Sequence, residues 1–491
     1  GHNDSIAWGM TNVMVDDLDF YAEKLNEDST KYWFDGAWHD LNIKKETIKT
    51  KEGEEFEEEL KFTHRGPMVN RFKKEKETPL SIRWLGNEMS NEIRTVYLLN
   101  HARNWSDFRN AVSTFISVSQ NIVYADVDGN IGLQCSAGIP IREGSGIEIY
   151  PGDSSKYDWK GLVPFEELPY EFNPELGYVS SANNKTVSND YPHYISHWFA
   201  TSGRIDRIRE MLEEKPLLGV EDFKAMHSDF HSKTAESMTK VFLATLEKVS
   251  DLNETEQQAF DKLKEWDYTL TRESQAASVF EVLYRKAMLN LVKDDLSEEL
   301  FNDIRGERML LENLMINVLA DKNSEWIDNV KTPEKETFDD LVVQSFKETV
   351  NELETELGPD VEQWQWGKIH TFTLSHPLGV VPILDKVLKL NRGPFEVPGS
   401  YHTVCPYSYS FTNLYKTNHG ASQRHIFDTQ DWNRSQTVIP TGTSGIPASE
   451  FYLDQTGLYL DNRYHPDPFG KAEVENKAKF SMTLKPEAIE E

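Results

Sequence analysis

The apolar period of this chain changes twice along its length, and that change limits its possible folds more than any single motif does. From Ser5 to about Arg204 the text reads as short strands and turns, such as Ile122–Tyr124, a tight turn at Asp128-Gly129-Asn130, then Ile131–Leu133. Pro140, Gly144, Gly146, Pro151-Gly152, Pro164, Pro169 and Pro174 punctuate ordered loops in this stretch. From about Pro216 to Gly358 apolar residues recur at spacings of three and four: Val241, Phe242 and Leu246, then Val279, Val282, Leu283 and Met288, then Phe338, Leu341, Val342 and Phe346. That spacing predicts amphipathic helices, with the intervening Glu, Lys and Asp on solvent faces. After Trp364 strands and turns return, rich in aromatics and Pro, through Val404 and Tyr407–Phe411 to the segment around Tyr452. Strand-rich blocks flanking a helical block predict an α+β fold with the helices segregated as an insertion. The expected division is a β-rich core over 1–215, a mainly helical segment over 216–362, and a strand-rich part of the same core over 363–491.

A chain of 491 residues buries a substantial core, and its 12 Trp supply large anchors for one. Lys+Arg minus Asp+Glu is 52 − 82 = −30, so the surface repels phosphate backbones and anionic lipid, and nucleic acid is not the expected partner. The run Lys51–Lys61, KEGEEFEEELK, reads as a solvated acidic face. Cys135 and Cys405 are too few for a disulfide framework and lie in no CxxC, so both read as buried small hydrophobes. No stretch approaches ~20 apolar residues, and no basic-then-apolar leader opens the chain, so neither membrane insertion nor an export tag is expected within these residues. The opening, GHNDSIAWGMTNV, is strand-patterned and lacks Met, which reads as a fragment or a processed product.

Motifs for several enzyme classes are missing: the sequence has no GxSxG, GxxxxGK[ST], HExxH or strand-following GxGxxG. The 14 His are scattered, and pairs such as His101 with His193 or His370 with His376 lack metal spacing. Asp16, Asp17 and Asp19 crowd one short loop after the first strand. Hard oxygen ligands there suit Ca²⁺, although the same trio also serves as a solvated loop or helix cap. Asn183-Asn184 lies in SSANNKT after the turn at Pro174 and Gly177. An Asn amide in that place can donate to an oxyanion or close an Asx turn.

Five blocks in order carry a resemblance: GHNDSIAWGMTNV, then YADVDGNIG with PIR shortly after it, then Trp159-Lys160-Gly161 to Pro164, then NPELGYVSSANN, and late GASQRHIFD with TGTSGIPASEFYLDQ. Together they resemble the penicillin acylase family of N-terminal-nucleophile hydrolases, over essentially the whole chain. The resemblance implies an αββα sandwich made from one precursor that cuts itself into a small and a large subunit, with a new N-terminal Ser as nucleophile. The α-amine of such a Ser titrates near neutral pH and serves as its own general base, so attack on an amide gives an acyl-enzyme.

By the same resemblance, the first oxyanion donor falls on the backbone N–H of Asn12, the second on the side-chain amide of Asn183, and the arginine that orders the site on Arg204. A structural calcium site falls on Asp16 and Asp19 by carboxylate and on Leu18 by carbonyl. A further carboxylate expected soon after Asp190-Tyr191-Pro192 is replaced by HYISHWF. Positions of the acyl pocket fall on Met10, Val96 and Gln120, and a polar Gln in an apolar wall argues against penicillin G as natural substrate.

The family's nucleophile precedes the block that starts at Gly1 by several dozen residues. The small subunit and the start of the large one are therefore expected as missing partners, the αββα core is expected to be incomplete, and the chain alone is expected to be inactive. The implied activity is hydrolysis of the linear amide of an N-acylated small molecule, a β-lactam side chain or an acyl-homoserine lactone among them, with a periplasmic or secreted location. The alternative is a non-catalytic acidic envelope protein, calcium-binding or not, on the same scaffold.

Overall fold

The computed structural model describes residues 1–69 and 78–486, which divide into two compact units, Gly1–Ala200 and Thr201–Glu491. In the first unit, strand Ile6–Asn12 is the edge of a four-stranded antiparallel sheet continued by Gln120–Asp126, Ile131–Ser136 and Tyr170–Phe172. The predicted turn lies between the second and third of these, with Gly129 at φ 88° and the Asp126 carboxylate accepting the N–H groups of Asp128 and Asn130.

Side chains alternate along a strand, so Ile6, Trp8, Ile122 and Tyr124 share one face. Helices Glu92–Leu99 and Trp105–Val112 cover that face with Leu99, Phe108, Ala111 and Val112. The sequence pattern places strands and turns where these helices form. Their signals are local: Asn91 and Asn104 cap them by accepting from the N–H of Arg94 and Asp107. Two turns of helix gain most of their stability from the sheet beneath, which a short window of sequence does not display. Trp105 stacks on Phe172 above Gly132, where a Cβ would come within 2.6 Å of the indole, so only Gly fits under that ring. The opposite face carries Val13 and Cys135, closed by Ile139, Val163, Leu168 and Ile195. Cys135 is buried, as expected, and burial pushes its thiol up to about 12.

A second sheet sets Ile149–Pro151 parallel to Leu18–Ala22, which pairs antiparallel with Leu80–Trp84. It holds Leu18 and Asp19 at the head of its central strand. The acidic run folds as one side of a ribbon, Asn42–Lys49 against Glu55–Phe62, with cross-strand pairs Lys45–Glu59 at 3.2 Å and Lys49–Glu55 at 2.7 Å.

In the second unit, helices Gly203–Glu213, Val220–His227, Lys233–Leu246, Glu254–Lys264, Gln275–Asn290, Glu298–Ile304, Arg308–Ala320 and Phe338–Leu357 precede a mixed sheet. Its order is Arg392–Glu396, Thr371–Leu374, Asn413–Gly420, Tyr407–Ser410. Tyr401, Tyr409, Phe411 and Tyr415 enter the same apolar cluster as the helices, so the helical block and the strands after it share one core. No helix of the described residues is long and apolar enough to cross a membrane.

Helix Gln275–Asn290 departs from the amphipathic expectation. Every residue from Ala276 to Arg285 is buried, because neighbouring helices enclose it and Tyr409 and Tyr415 reach it from the sheet. Its charged residues therefore have partners inside: Arg285 pairs with Glu352 at 2.7 Å, and Glu281 accepts the Tyr409 hydroxyl at 2.7 Å. Glu312, buried in helix Arg308–Ala320, lies 3.7 Å from His402. Burial pushes both Glu281 and Glu312 up to about 7 and holds His402 well below its ordinary value.

These raised carboxyls set a pH dependence. An unfolded Glu ionises near about 4.3, so between there and 7 the folded state holds protons that the unfolded chain releases. Their stabilisation is complete below that window and is lost as pH rises through 7. Urea midpoints should fall between pH 5 and 8, and Glu281→Gln or Glu312→Gln should flatten the fall, with a gain of about 3 kcal/mol at pH 8. Equal slopes in wild type and both variants would show that neither carboxyl is protonated in the fold.

Candidate active site

Asn12 and Asn183, 171 residues apart, meet on the strand that forms the edge of the four-stranded sheet among the described residues. The Val13 N–H donates to the Ser119 carbonyl at 3.3 Å, which makes those two a hydrogen-bonded pair. Such pairs alternate with non-hydrogen-bonded ones along an antiparallel ladder. Asn12, opposite Gln120, therefore turns its N–H and carbonyl away from the neighbouring strand and toward the outer edge. Trp8, four residues earlier and in the same phase, confirms that direction by exchanging backbone bonds with Gly1. The Asn183 Nδ2 reaches the Asn12 carbonyl from that side at 3.1 Å. An outward backbone N–H and a side-chain amide are thereby gathered at one edge.

Local geometry holds Asn183 there. Its backbone sits at φ 64°, a left-handed conformation that Asn tolerates better than most residues, and its carbonyl accepts the Ala200 N–H at 2.9 Å. The side-chain clamp within the loop belongs to Asn184, whose Oδ1 accepts the Ala182 N–H at 3.0 Å and whose Nδ2 donates to the Lys185 carbonyl at 2.8 Å. That division of labour leaves the Asn183 amide directed across to Asn12. Ser181 staples the loop to the sheet, its hydroxyl 2.6 Å from Thr11 Oγ1 and accepting from Asn121 Nδ2 at 3.3 Å. Thr11 and Asn121 are cross-strand partners. Nothing in the run SSANN identifies these contacts, which the sheet register creates.

The three residues assigned to the acyl pocket differ in their surroundings. Met10 is 44% exposed near the end of the edge strand, and Val96 lies on the outward side of helix Glu92–Leu99 with exposed Ile93 and Tyr97. Gln120 donates its Nε2 to Asn12 Oδ1 at 2.8 Å, so its amide is engaged in holding Asn12. Arg204 belongs to the second unit, as the second residue of helix Gly203–Glu213. Burial, with Arg308 beside it, lowers its ordinarily very high value, while Glu312 acts in the opposite sense.

Asp16 and Asp19 come together, but around a side chain. Arg142 Nη1 lies 3.2 Å from Asp16 Oδ2 and its Nε lies 3.1 Å from Asp19 Oδ2, while Nη2 donates to the Asp16 carbonyl. The Tyr194 hydroxyl donates to Asp16 Oδ2 at 2.9 Å, and the Trp159 indole donates to Asp19 Oδ2. Tyr194 falls in the HYISHWF segment, where a carboxylate was expected. Ca²⁺ takes six to eight oxygens, whereas here the two carboxylates already share the Arg142 guanidinium. As folded, these residues do not fit a calcium cage, and no group of three or more His, Cys, Asp or Glu among the described residues is placed to hold a metal. The arrangement of chemical interest is the donor pair, since two N–H groups directed at one edge favour negative charge on an oxygen placed between them.

Comparison with known proteins gives this geometry its context. The sequence pattern of the family described as Penicillin amidase matches residues 1–476. The chain is 26% identical over 510 residues to acyl-homoserine lactone acylase QuiP of Pseudomonas aeruginosa, covering 96% of this chain and 60% of the relative. It is 25% identical over 506 residues to penicillin acylase 2 proenzyme of a Pseudomonas species, covering 99% and 61%. The chain thus spans about three fifths of the length of these relatives. A solved structure of a thermostable penicillin G acylase from Alcaligenes faecalis superposes with a TM-score of 0.71 at 20% identity, over 99% of this chain and 89% of that one. The α+β fold is therefore shared with that penicillin G acylase. With the sequence pattern running from residue 1 to residue 476 on that fold, the chain belongs to the penicillin amidase family.

Proposed function

We propose that this chain is the oxyanion-binding part of an amidohydrolase that cleaves the linear amide of an N-acylated small molecule through an acyl-enzyme. The observation that carries the reading is the meeting of Asn183 Nδ2 with the Asn12 edge at 3.1 Å. In the resting chain the Asn183 amide rests on the Asn12 carbonyl. During catalysis it and the Asn12 N–H would donate to the oxygen of the tetrahedral intermediate, where losing one such donor costs ~2.7–4 kcal/mol of barrier. The Ser nucleophile and its α-amine come, in this reading, from the part of the relatives' length that the chain does not span. Family membership also supports a precursor cut into two subunits and a site of action outside the cytoplasm.

The exposed apolar side chains Met10, Val96, Ile93 and Tyr97 supply surface suited to an acyl chain. Gln120 is engaged on Asn12 through its Nε2. Relatives named for acyl-homoserine lactones and for penicillin support an acyl amide as substrate, and the two leaving groups are separable by assay.

In the enzyme matured from its natural gene, Asn183→Ala should lower kcat about a hundredfold or more on whichever of these amides is turned over, with circular dichroism unchanged. Wild-type turnover by a folded variant would remove Asn183 from the site. The isolated polypeptide 1–491 should hydrolyse neither amide. Reproducible release of the free acid by it would place the nucleophile inside the chain and overturn the mechanism. Intact mass and N-terminal sequencing of the natural protein test the two-subunit maturation directly.

A further inference from the structure

We infer that Arg142 is a built-in counter-cation for the Asp16 and Asp19 pair, so that this chain holds its two buried carboxylates without calcium. The inference concerns the fold and does not depend on the proposed activity. Each member of the triad is enclosed: side-chain exposure is 2% for Arg142, 8% for Asp16 and 0% for Asp19. Two buried carboxylates with no cation would be strongly destabilising. One guanidinium serves both, and its planar fork also reaches the Asp16 carbonyl. The rings of Trp159 and Tyr194 lie 5.6 Å and 5.8 Å from it, and each also donates a hydrogen bond to one of the carboxylates.

Packing closes the space above the triad as well. Gly146 crosses it at φ 78°, so near that a Cβ would lie 2.3 Å from Asp16 Oδ2 and 2.8 Å from Arg142 Nη1. That backbone leaves little space for a hydrated ion beside the guanidinium. Arg142 Nε and Nη1 meet the carboxylates as ion pairs without hydrogen-bond geometry, and one oxygen, Asp19 Oδ1, is likewise buried without a hydrogen-bond partner. It is a latent cation ligand, held in check as long as Arg142 supplies the positive charge.

The test uses the natural full-length protein. Wild type is dialysed against EGTA or 2 mM CaCl₂, assayed for bound calcium by mass spectrometry, and melted in each buffer. The inference predicts less than one calcium per ten chains and a Tm that differs by under about 1 °C between buffers. Arg142→Gln should lower Tm by about 5–10 °C in EGTA and recover part of that loss in calcium, because the freed carboxylates then accept the ion. Arg142→Lys, which keeps the charge, should melt closer to wild type and ignore calcium. Stoichiometric calcium in the dialysed wild type, or a fall of more than 5 °C on chelation, would overturn the inference. So would equal losses in the Gln and Lys variants with no calcium response in either. If the Gln variant does not fold, the wild-type metal content and the Lys variant still decide.

Discussion

The register between strands Ile6–Asn12 and Gln120–Asp126 is the constraint on which the rest of the candidate site depends. Setting Asn12 opposite Gln120 turns the Asn12 N–H to the outer edge, brings the Gln120 amide to the Asn12 side chain, and makes Thr11 and Asn121 the pair that grips Ser181. A slip of one residue would send the Asn12 N–H into the ladder and move every side chain to the other face. The register is secured where burial is greatest, by Ile6, Ile122 and Tyr124 under the two short helices. Packing on one end of the strand thereby determines hydrogen-bond direction at the other.

Buried charge recurs through both units and is met in different ways. In the first unit Arg65 is enclosed with Asp158 at 2.6 Å and Glu23 at 3.1 Å, and its remaining donors meet the carbonyls of Gly152 and Ser154. Arg142 stands between Asp16 and Asp19 at ion-pair distance, with one hydrogen bond to the Asp16 carbonyl. In the second unit Arg285 meets Glu352, whereas burial outweighs the nearby arginines at Glu281 and Glu312 and pushes both carboxyls up to about 7. These solutions respond differently to their surroundings. An arginine keeps its charge at any physiological pH, whereas the raised carboxyls of the second unit titrate near neutrality.

Much of the site was visible in the sequence only through resemblance. The blocks GHNDSIAWGMTNV and NPELGYVSSANN name Asn12 and Asn183, but no spacing rule relates residues 171 apart. Asp16 and Asp19 stood out as a carboxylate cluster, yet their partner is Arg142, an unremarked member of the PIR block, because an ion pair over such a separation leaves no local pattern. Helices Glu92–Leu99 and Trp105–Val112 were obscured by the turn-rich text around them. Helix Gln275–Asn290 was recognisable as a helix by its period but not as a buried one, since burial on every side depends on neighbours that the period does not reveal.

The sequence by itself determined the alternation of strand-rich and helical text, the turn at Asp128-Gly129-Asn130, the burial of the two cysteines and the acidic character of the surface. Each of these follows from side-chain periodicity, backbone preference or net charge over a short window. The tertiary structure alone decided that the Asn12 N–H faces the outer edge, that Asn183 meets it, that Gln120 holds Asn12, and that Arg142 stands between two aspartates. These depend on strand register and on contacts across the first unit, and the forces that set them, burial and the pairing of buried polar groups, act between residues that only folding brings together.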